Sequence, residues 1–464
     1  MLWDLESFSG AMHERLASAL RQAIRQGQLS PGAALPPSRQ LAADLGCSRW
    51  VVTEAYAQLV AEGYLQAKTG SATRVSADWP EVTTTVGLST TPSEPRYDLL
   101  PGMPDLRAFP RSRWAEAVRA AATTMAHQDL WYTTDGGLPQ TRLALAEYLA
   151  RNRGVVTSTT DVRITTGVAD GLTQVFRTLH RKGFRSVAVE DPAWQRPAKA
   201  ARDSGLEVVP IPVDESGIRL DHLTRRDDCR AVLVTPAHQF PMGMVLASKR
   251  RAALLDWLRR VDGVLLEDDY DAEFRYDRPP VGAVQAMDPA RVFLFGSVSK
   301  TLAPAVGVGW MVHPPGWSDE IREANPVVTS PSALAQTAFA HMLTSGAFDR
   351  HLRDSRRRLR RRRDKLVRAL RMHLPEHRVS GIAAGLHLVL HLPVEAGIDV
   401  PSFIAEVRSA GVRLCSIDIF RNPPDPRQPA LVLGYGNLAD SVVEEAVTQL
   451  ATYLEKAIGT LGQK

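Results

Sequence analysis

The sequence predicts a two-part molecule: a small, mostly helical N-terminal module, then a large α/β domain built around a mainly parallel sheet. Three observations predict it. The chain has 464 residues, about three times the ~150 residues typical of one domain. Residues 76–96 read SADWPEVTTTVGLSTTPSEPR, rich in Thr, Ser and Pro with a period of neither 3.6 nor 2, as a linker does. Beyond it, short apolar runs alternate with longer amphipathic stretches. The expected division is a module over 1–76, a linker over 77–96 and a large domain over 97–464.

Composition narrows the function class. With 44% hydrophobic and 23% charged residues the chain is globular. No run approaches the roughly 18 apolar residues of a membrane span. The start, MLWDLESFSG, carries acids where a signal peptide needs a basic segment, so a cytoplasmic protein with no membrane partner is expected. Cys47, Cys229 and Cys415 lie far apart, with neither zinc-site spacing nor disulfide density, and no metal is implied. The 56 basic against 51 acidic residues leave +5, which permits a polyanionic partner without requiring one.

In the module, LPPSRQLAADLG predicts a short helix capped by Ser38, with Leu41 and Leu45 one turn apart and Gly46 supplying the positive φ that ends it. Ser48 caps a second helix, SRWVVTEAYAQLVAEGYL. There Val51, Ala55 and Leu59 share a face, and Arg49, Trp50 and Thr53 fall near the exposed N-terminal end. Two helices joined by a short Gly-containing turn make a helix-turn-helix, whose second helix enters the DNA major groove. Tyr64 and Leu65, then Lys68 to Val75, read as strand, tight turn and returning strand, which is a wing.

Residues 11–76 resemble the reader head of the GntR family, whose L-P-S-x-R, L-G-x-S-R, A-Y-x-x-L and E-G-Y-L strings and Gly-containing wing recur here almost intact. The resemblance implies a double-stranded DNA operator touched by Arg39, Ser48, Arg49, Thr53 and Gly70. Their chemistry suits it: arginine forks onto guanine or phosphate, and a hydroxyl or helix N-terminus takes a phosphate oxygen. Ala72 replaces the second wing glycine of the family pattern, and Trp50 is bulky for its place.

In the large domain five apolar runs end abruptly: VRIT before TGVADG, SVAV before EDPAW, AVLV before TPAHQFPMG, VLL before EDDYD and VFLF before GSVSK. Ligands of an open parallel sheet bind beyond the carboxyl ends of its strands, so these tails should converge on one crevice. They carry Lys300, Glu267, Asp268, Asp269, Trp194, Tyr270, Thr166 and Gly167. That set fits a phosphorylated heteroaromatic aldehyde: an amine for a Schiff base, a carboxylate for a protonated ring nitrogen, a stacking aromatic and a helix start for the phosphate. The basic run 350–371, by contrast, reads as a long helix, because Leu352, Leu359, Leu366 and Leu370 form one buried stripe opposite a solvated basic face.

From about Asp98 onward the chain resembles the fold-type I aminotransferases, which depend on pyridoxal 5′-phosphate (PLP). With its head it resembles the MocR subfamily of GntR regulators. The strings are YTTDGGLP (132–139), EDPAW (190–194), TPAHQFPMG (235–243), EDDYDAEFRY (267–276) and SVSKTLAP (297–304). The resemblance implies a mainly parallel central sheet with a smaller C-terminal α+β subdomain. It also implies Lys300 as the Schiff-base amine, Asp268 on the pyridinium nitrogen, Tyr270 on the phenolic oxygen and Trp194 over the ring. Thr166, Gly167, Val168, Ser297 and Ser299 would surround the phosphate, with Tyr132 from a second subunit, hence a homodimer with swapped heads.

Two positions depart from the pattern. The family places an arginine on the phosphate seven residues after the lysine, where this chain has Gly307. Arg196 matches an arginine that holds an effector carboxylate in some relatives, but the second such arginine is absent from LVLGYGNL (431–438). The expected function is a transcription regulator that senses PLP, alone or with an amine or amino acid. Two alternatives stand beside it: an active aminotransferase carrying a DNA-binding arm, and a regulator whose large domain has lost PLP and only dimerises.

Overall fold

The structure, a computed structural model, describes residues 5–68, 71–76, 95–131, 136–225, 228–279, 281–327, 330–425 and 427–461. The chain separates into two compact units, Met1–Ser93 and Glu94–Lys464.

The N-terminal unit holds α1 (Met12–Arg25), α2 (Ser38–Asp44), α3 (Arg49–Ala61), β1 (Leu65–Gln66) and β2 (Arg74–Val75). Leu16, Leu20 and Ile24 of α1 pack with Leu41, Val52, Ala55 and Leu59, and Leu65 and Val75 close that core from the antiparallel β1–β2 pair. Gly46 ends α2 with φ +62°. Ser38 does not cap α2 but is its first helical residue: Pro37, with φ already fixed by its ring, occupies the cap. The freed Ser38 hydroxyl instead accepts from Arg49 Nε at 3.3 Å. Ser48 stands at the cap of α3 without a side-chain capping hydrogen bond. The buried stripe of α3 runs through Val52, Ala55, Tyr56 and Leu59, leaving Val51 half-buried, because α3 packs against both α1 and α2.

The larger unit is organised by an eight-stranded sheet. Its spatial order is Val162–Thr165, Gly309–Val312, Val292–Ser297, Val264–Asp268, Ala231–Val234, Ser186–Asp191, Glu207–Asp214 and Gly217–Ile218. Neighbours from Val292–Ser297 through Glu207–Asp214 are parallel. Gly309–Val312 runs against both its neighbours, and Gly217–Ile218 against its own. The strands are buried on both faces: Val264 and Leu266 enter one apolar cluster and Leu265 another.

A second, antiparallel sheet orders Val379–Ser380, His387–His391, Ala430–Gly434 and Cys415–Ser416. With the helices Val400–Ser409 and Val443–Leu461 it makes the smaller α+β part. Tyr97–Asp98 pairs in parallel with Val412–Arg413, so the first described residues of this unit are tied to its C-terminal third. The helix Ala347–His373 buries Leu352, Leu359, Leu366 and Leu370, the stripe its spacing predicts. No described helix is long and apolar enough to cross a membrane.

Candidate functional site

Beyond the carboxyl ends of the parallel strands lies a cavity of about 450 Å³, within the roughly 300–1,000 Å³ usual for small-molecule sites. Ten of the expected residues line it: Thr166, Gly167, Val168, Trp194, Arg196, Asp268, Tyr270, Ser297, Ser299 and Lys300. They meet because each follows a strand that ends at the same edge. Tyr132 and Gly70 lie outside the described residues.

Asp268 ends its strand inside the sheet, and its Oδ1 has no hydrogen-bond partner. Burial, reinforced by the neighbouring Asp269 and Asp271 carboxylates, pushes its pKa up to about 8. Lys300 Nζ donates to the Gly102 carbonyl at 2.6 Å. Burial lowers its pKa, which favours the neutral amine a nucleophile needs. The Tyr270 hydroxyl lies 3.1 Å from His238 Nδ1, which in turn is 2.9 Å from Asp271 Oδ2. Burial beside Asp271 and Asp268 holds the Tyr270 phenol protonated. Trp194 lines the cavity and is 39% exposed.

The helix Val168–Arg181 begins at this wall, preceded by Gly167 at φ +154°. Its first amides lack intrahelical acceptors and form an anion cup. Gly309 backs that cup closely: a Cβ there would stand 2.6 Å from Gly167 Cα. The donors of Thr166 are already engaged, its amide and hydroxyl both donating to Asp170, at 2.9 and 3.1 Å. Gly307 adopts φ +64° with open space around its Cα. Among the described residues, the only cations on the cavity wall are Lys300 and Arg196. Arg196 also borders an adjoining cavity of about 490 Å³ that shares Thr166, Gly167 and Ala169.

Behind the cavity, Arg153 clamps Asp269 through two hydrogen bonds of 2.7 and 2.9 Å. Glu267 accepts from the amides of Val284 and Gln285 at 3.0 and 2.9 Å. Glu190, on the cavity wall, accepts from the Thr235 amide and hydroxyl, and burial pushes its pKa up to about 7. Gly102, Glu190, His238, Phe240, Asp271 and Phe420 were not singled out by sequence reasoning. Glu190, His238, Phe240 and Asp271 stand inside the EDPAW, TPAHQFPMG and EDDYDAEFRY strings, the one signal that pointed at them.

In the N-terminal unit Arg39, Ser48, Arg49 and Thr53 are all exposed. Thr53 returns its hydroxyl to the Arg49 carbonyl at 2.9 Å. Trp50, 61% exposed, rests edge-on against His13.

Comparison with known proteins matches each unit separately. Residues 12–75 match the model of bacterial regulatory proteins of the gntR family. Residues 105–422 match aminotransferase class I and II. The chain is 32% identical to the probable rhizopine catabolism regulatory protein MocR of Rhizobium meliloti, over 95% of this chain and 93% of that protein. It is 33% identical to the HTH-type pyridoxine biosynthesis transcriptional regulator PdxR of Corynebacterium glutamicum, over 81% of this chain and 82% of that one. Among solved structures, an archaeal alanine:glyoxylate aminotransferase superposes with TM-score 0.71 at 23% identity, covering 78% of this chain and 91% of its own. The kynurenine aminotransferase of Pyrococcus horikoshii gives TM-score 0.69 at 23% identity, covering 78% and 91%. Membership of the aminotransferase class I and II family implies that the large unit binds PLP. A gntR-family head fused to such a unit over nearly the whole length of a MocR relative makes this chain a member of the MocR type of GntR transcription regulators.

Proposed function

We propose that the chain is a DNA-binding regulator whose aminotransferase-like unit takes PLP, alone or with an amine or amino acid, as the effector that changes operator binding. The observation that carries this reading is the coincidence in one cavity of a half-buried amine of lowered pKa and a buried carboxylate oxygen without a partner, Lys300 and Asp268 Oδ1. PLP supplies an aldehyde for an amine, a basic ring nitrogen and a phosphate dianion. Lys300 is the residue to hold the aldehyde carbon. Asp268 pairs with the ring nitrogen, and its raised pKa falls when that nitrogen brings a positive charge. Tyr270 is positioned for the phenolic oxygen and Trp194 for the ring face. The amides that open the helix at Val168, with the Ser297 and Ser299 hydroxyls, receive the phosphate. Arg196 supplies a free cation toward that phosphate or toward the carboxylate of a second ligand.

Arg39, Ser48, Arg49, Thr53 and Gly70 form the DNA-reading face in this account. The assembly is a homodimer with exchanged heads, to which Tyr132 contributes from the partner chain, acting in the cytoplasm. A relative named for pyridoxine biosynthesis supports a B6 vitamer as effector. An effector acts only by its differential affinity for two arrangements of the regulator. The test is a near-visible absorption titration of the full chain with PLP, before and after borohydride, alongside Lys300→Ala, followed by fragment binding to promoter DNA with and without PLP. A band fixed by borohydride and lost in Lys300→Ala, together with a PLP-dependent change in DNA affinity, is expected. DNA binding identical with and without PLP overturns the effector role.

A further inference from the structure

The helix Ala347–His373 uses its two sides differently. On the inner side Arg362 is buried and committed: it donates to Asp440 at 2.6 Å, Asp105 at 3.2 Å and the Tyr435 carbonyl at 3.1 Å. On the outer side Arg353, Arg357, Arg360, Arg361, Arg368 and Arg371 are all exposed. At about 100° per residue the six fall within one stripe roughly 100° wide along the helix, interrupted by a single acid, Asp364. At 1.5 Å per residue the row is about 27 Å long.

The fold makes little use of these six cations. Arg353, Arg368 and Arg371 have no hydrogen bond or ion pair among the described residues. Arg357 meets only Asp354, in its own helix, at 2.6 Å. The acids nearest Arg360 and Arg361 stand at 4.0 and 3.9 Å. Like charges one turn apart repel and weaken a helix, so the row works against the helix that carries it. An isologous contact would set the same cations against themselves, which excludes a second copy of this face as its cover.

We propose that this row is a second DNA-contact surface, taking the phosphate backbone of duplex that flanks the site read by the winged head. A straight row of about 27 Å matches about eight base pairs at 3.4 Å each, and guanidinium forks suit phosphate oxygens. The surface carries no base-reading geometry, so it adds affinity and salt dependence rather than sequence choice. The inference rests on the DNA-binding reading of the head, and the experiment separates the two.

Full-length protein is titrated on a mixed-sequence 60-bp duplex over a range of salt, with Arg353→Gln/Arg360→Gln/Arg368→Gln/Arg371→Gln and, separately, Arg39→Ala/Arg49→Ala. Removing one arginine from a phosphate lowers the slope of log K against log salt by about 0.9. The row variant is expected to lose two to four such steps, at least ten-fold in affinity at low salt, with its thermal midpoint unchanged or raised as the repulsion is relieved. The same four positions changed to Lys should keep most of the slope. A row variant with wild-type slope and affinity, while the head variant loses binding, overturns the second surface and leaves the head reading intact. No duplex binding by the wild-type chain overturns both. A row variant that weakens only together with a lowered thermal midpoint, not restored by the Lys set, also counts against the proposal.

Discussion

Arg153 and Asp269, 116 positions apart in sequence, form a bidentate ion pair with both side chains almost fully buried, directly behind the strand end that presents Asp268. The Arg153 guanidinium stays charged because Asp269 faces it, with Glu267 and Glu273 close by. Removing one partner of such a pair leaves a bare buried charge, which costs about 3–5 kcal/mol. Arg153→Met should therefore lower unfolding free energy by about that amount in denaturant titration. Arg153→Met/Asp269→Leu, which leaves no charge unpaired, should recover much of the loss.

Asp268 gives the cofactor-free protein a distinctive pH dependence. Its native pKa of about 8 lies far above the ordinary 3.8. Between those values the native state holds a proton that the unfolded chain has released, so stability falls as pH rises through that window. Asp268→Asn removes the penalty. Without PLP the variant should melt several degrees above wild type at pH 9 and together with it near pH 4, as read by thermal denaturation. Identical curves at both values would mean Asp268 is not buried as described.

By the sequence resemblance Gly307 takes the place of a phosphate-binding arginine, and a Cβ there meets open space at φ +64°. A charge-assisted contact contributes about 1.5–3 kcal/mol, against roughly 1 kcal/mol for a non-glycine residue in that conformation. Gly307→Arg should tighten PLP by about ten-fold in an absorption titration. Arg196→Gln should loosen it, and Gly307→Arg on that background should restore it. An unchanged Kd in Arg196→Gln would place Arg196 outside the cofactor's charge balance.

Gly309 leaves no room for a side chain against Gly167. Gly309→Ala should destabilise by about 1–3 kcal/mol through overpacking and weaken phosphate binding more than it weakens binding of unphosphorylated pyridoxal. Equal losses for the two ligands would mean the cup does not receive the phosphate.

The ten expected cavity residues were legible because each lies at or just after the end of an apolar run marked by a change of composition. EDDY after VLL and SVSK after VFLF place Asp268, Tyr270 and Lys300 at one sheet edge by local pattern alone. The long helix declared itself through its leucines. What sequence did not disclose is pairing across the fold: Asp271 and His238 beneath Tyr270, Arg153 on Asp269, and the Gly309–Gly167 approach. Such pairs leave no periodic trace, since each partner looks locally like an ordinary polar or turn residue. The misreading at Ser38 had a local cause, because a favourable cap residue followed a proline that already had the cap geometry.

The bond from Lys300 to the Gly102 carbonyl reaches back toward the start of the larger unit. Gly102 follows closely on Tyr97–Asp98, the strand anchored to Val412–Arg413. The cavity amine therefore holds backbone that is itself pinned to the C-terminal third of the same unit. A ligand that engages the amine must break this bond, so filling the cavity and freeing the Gly102 carbonyl are one event.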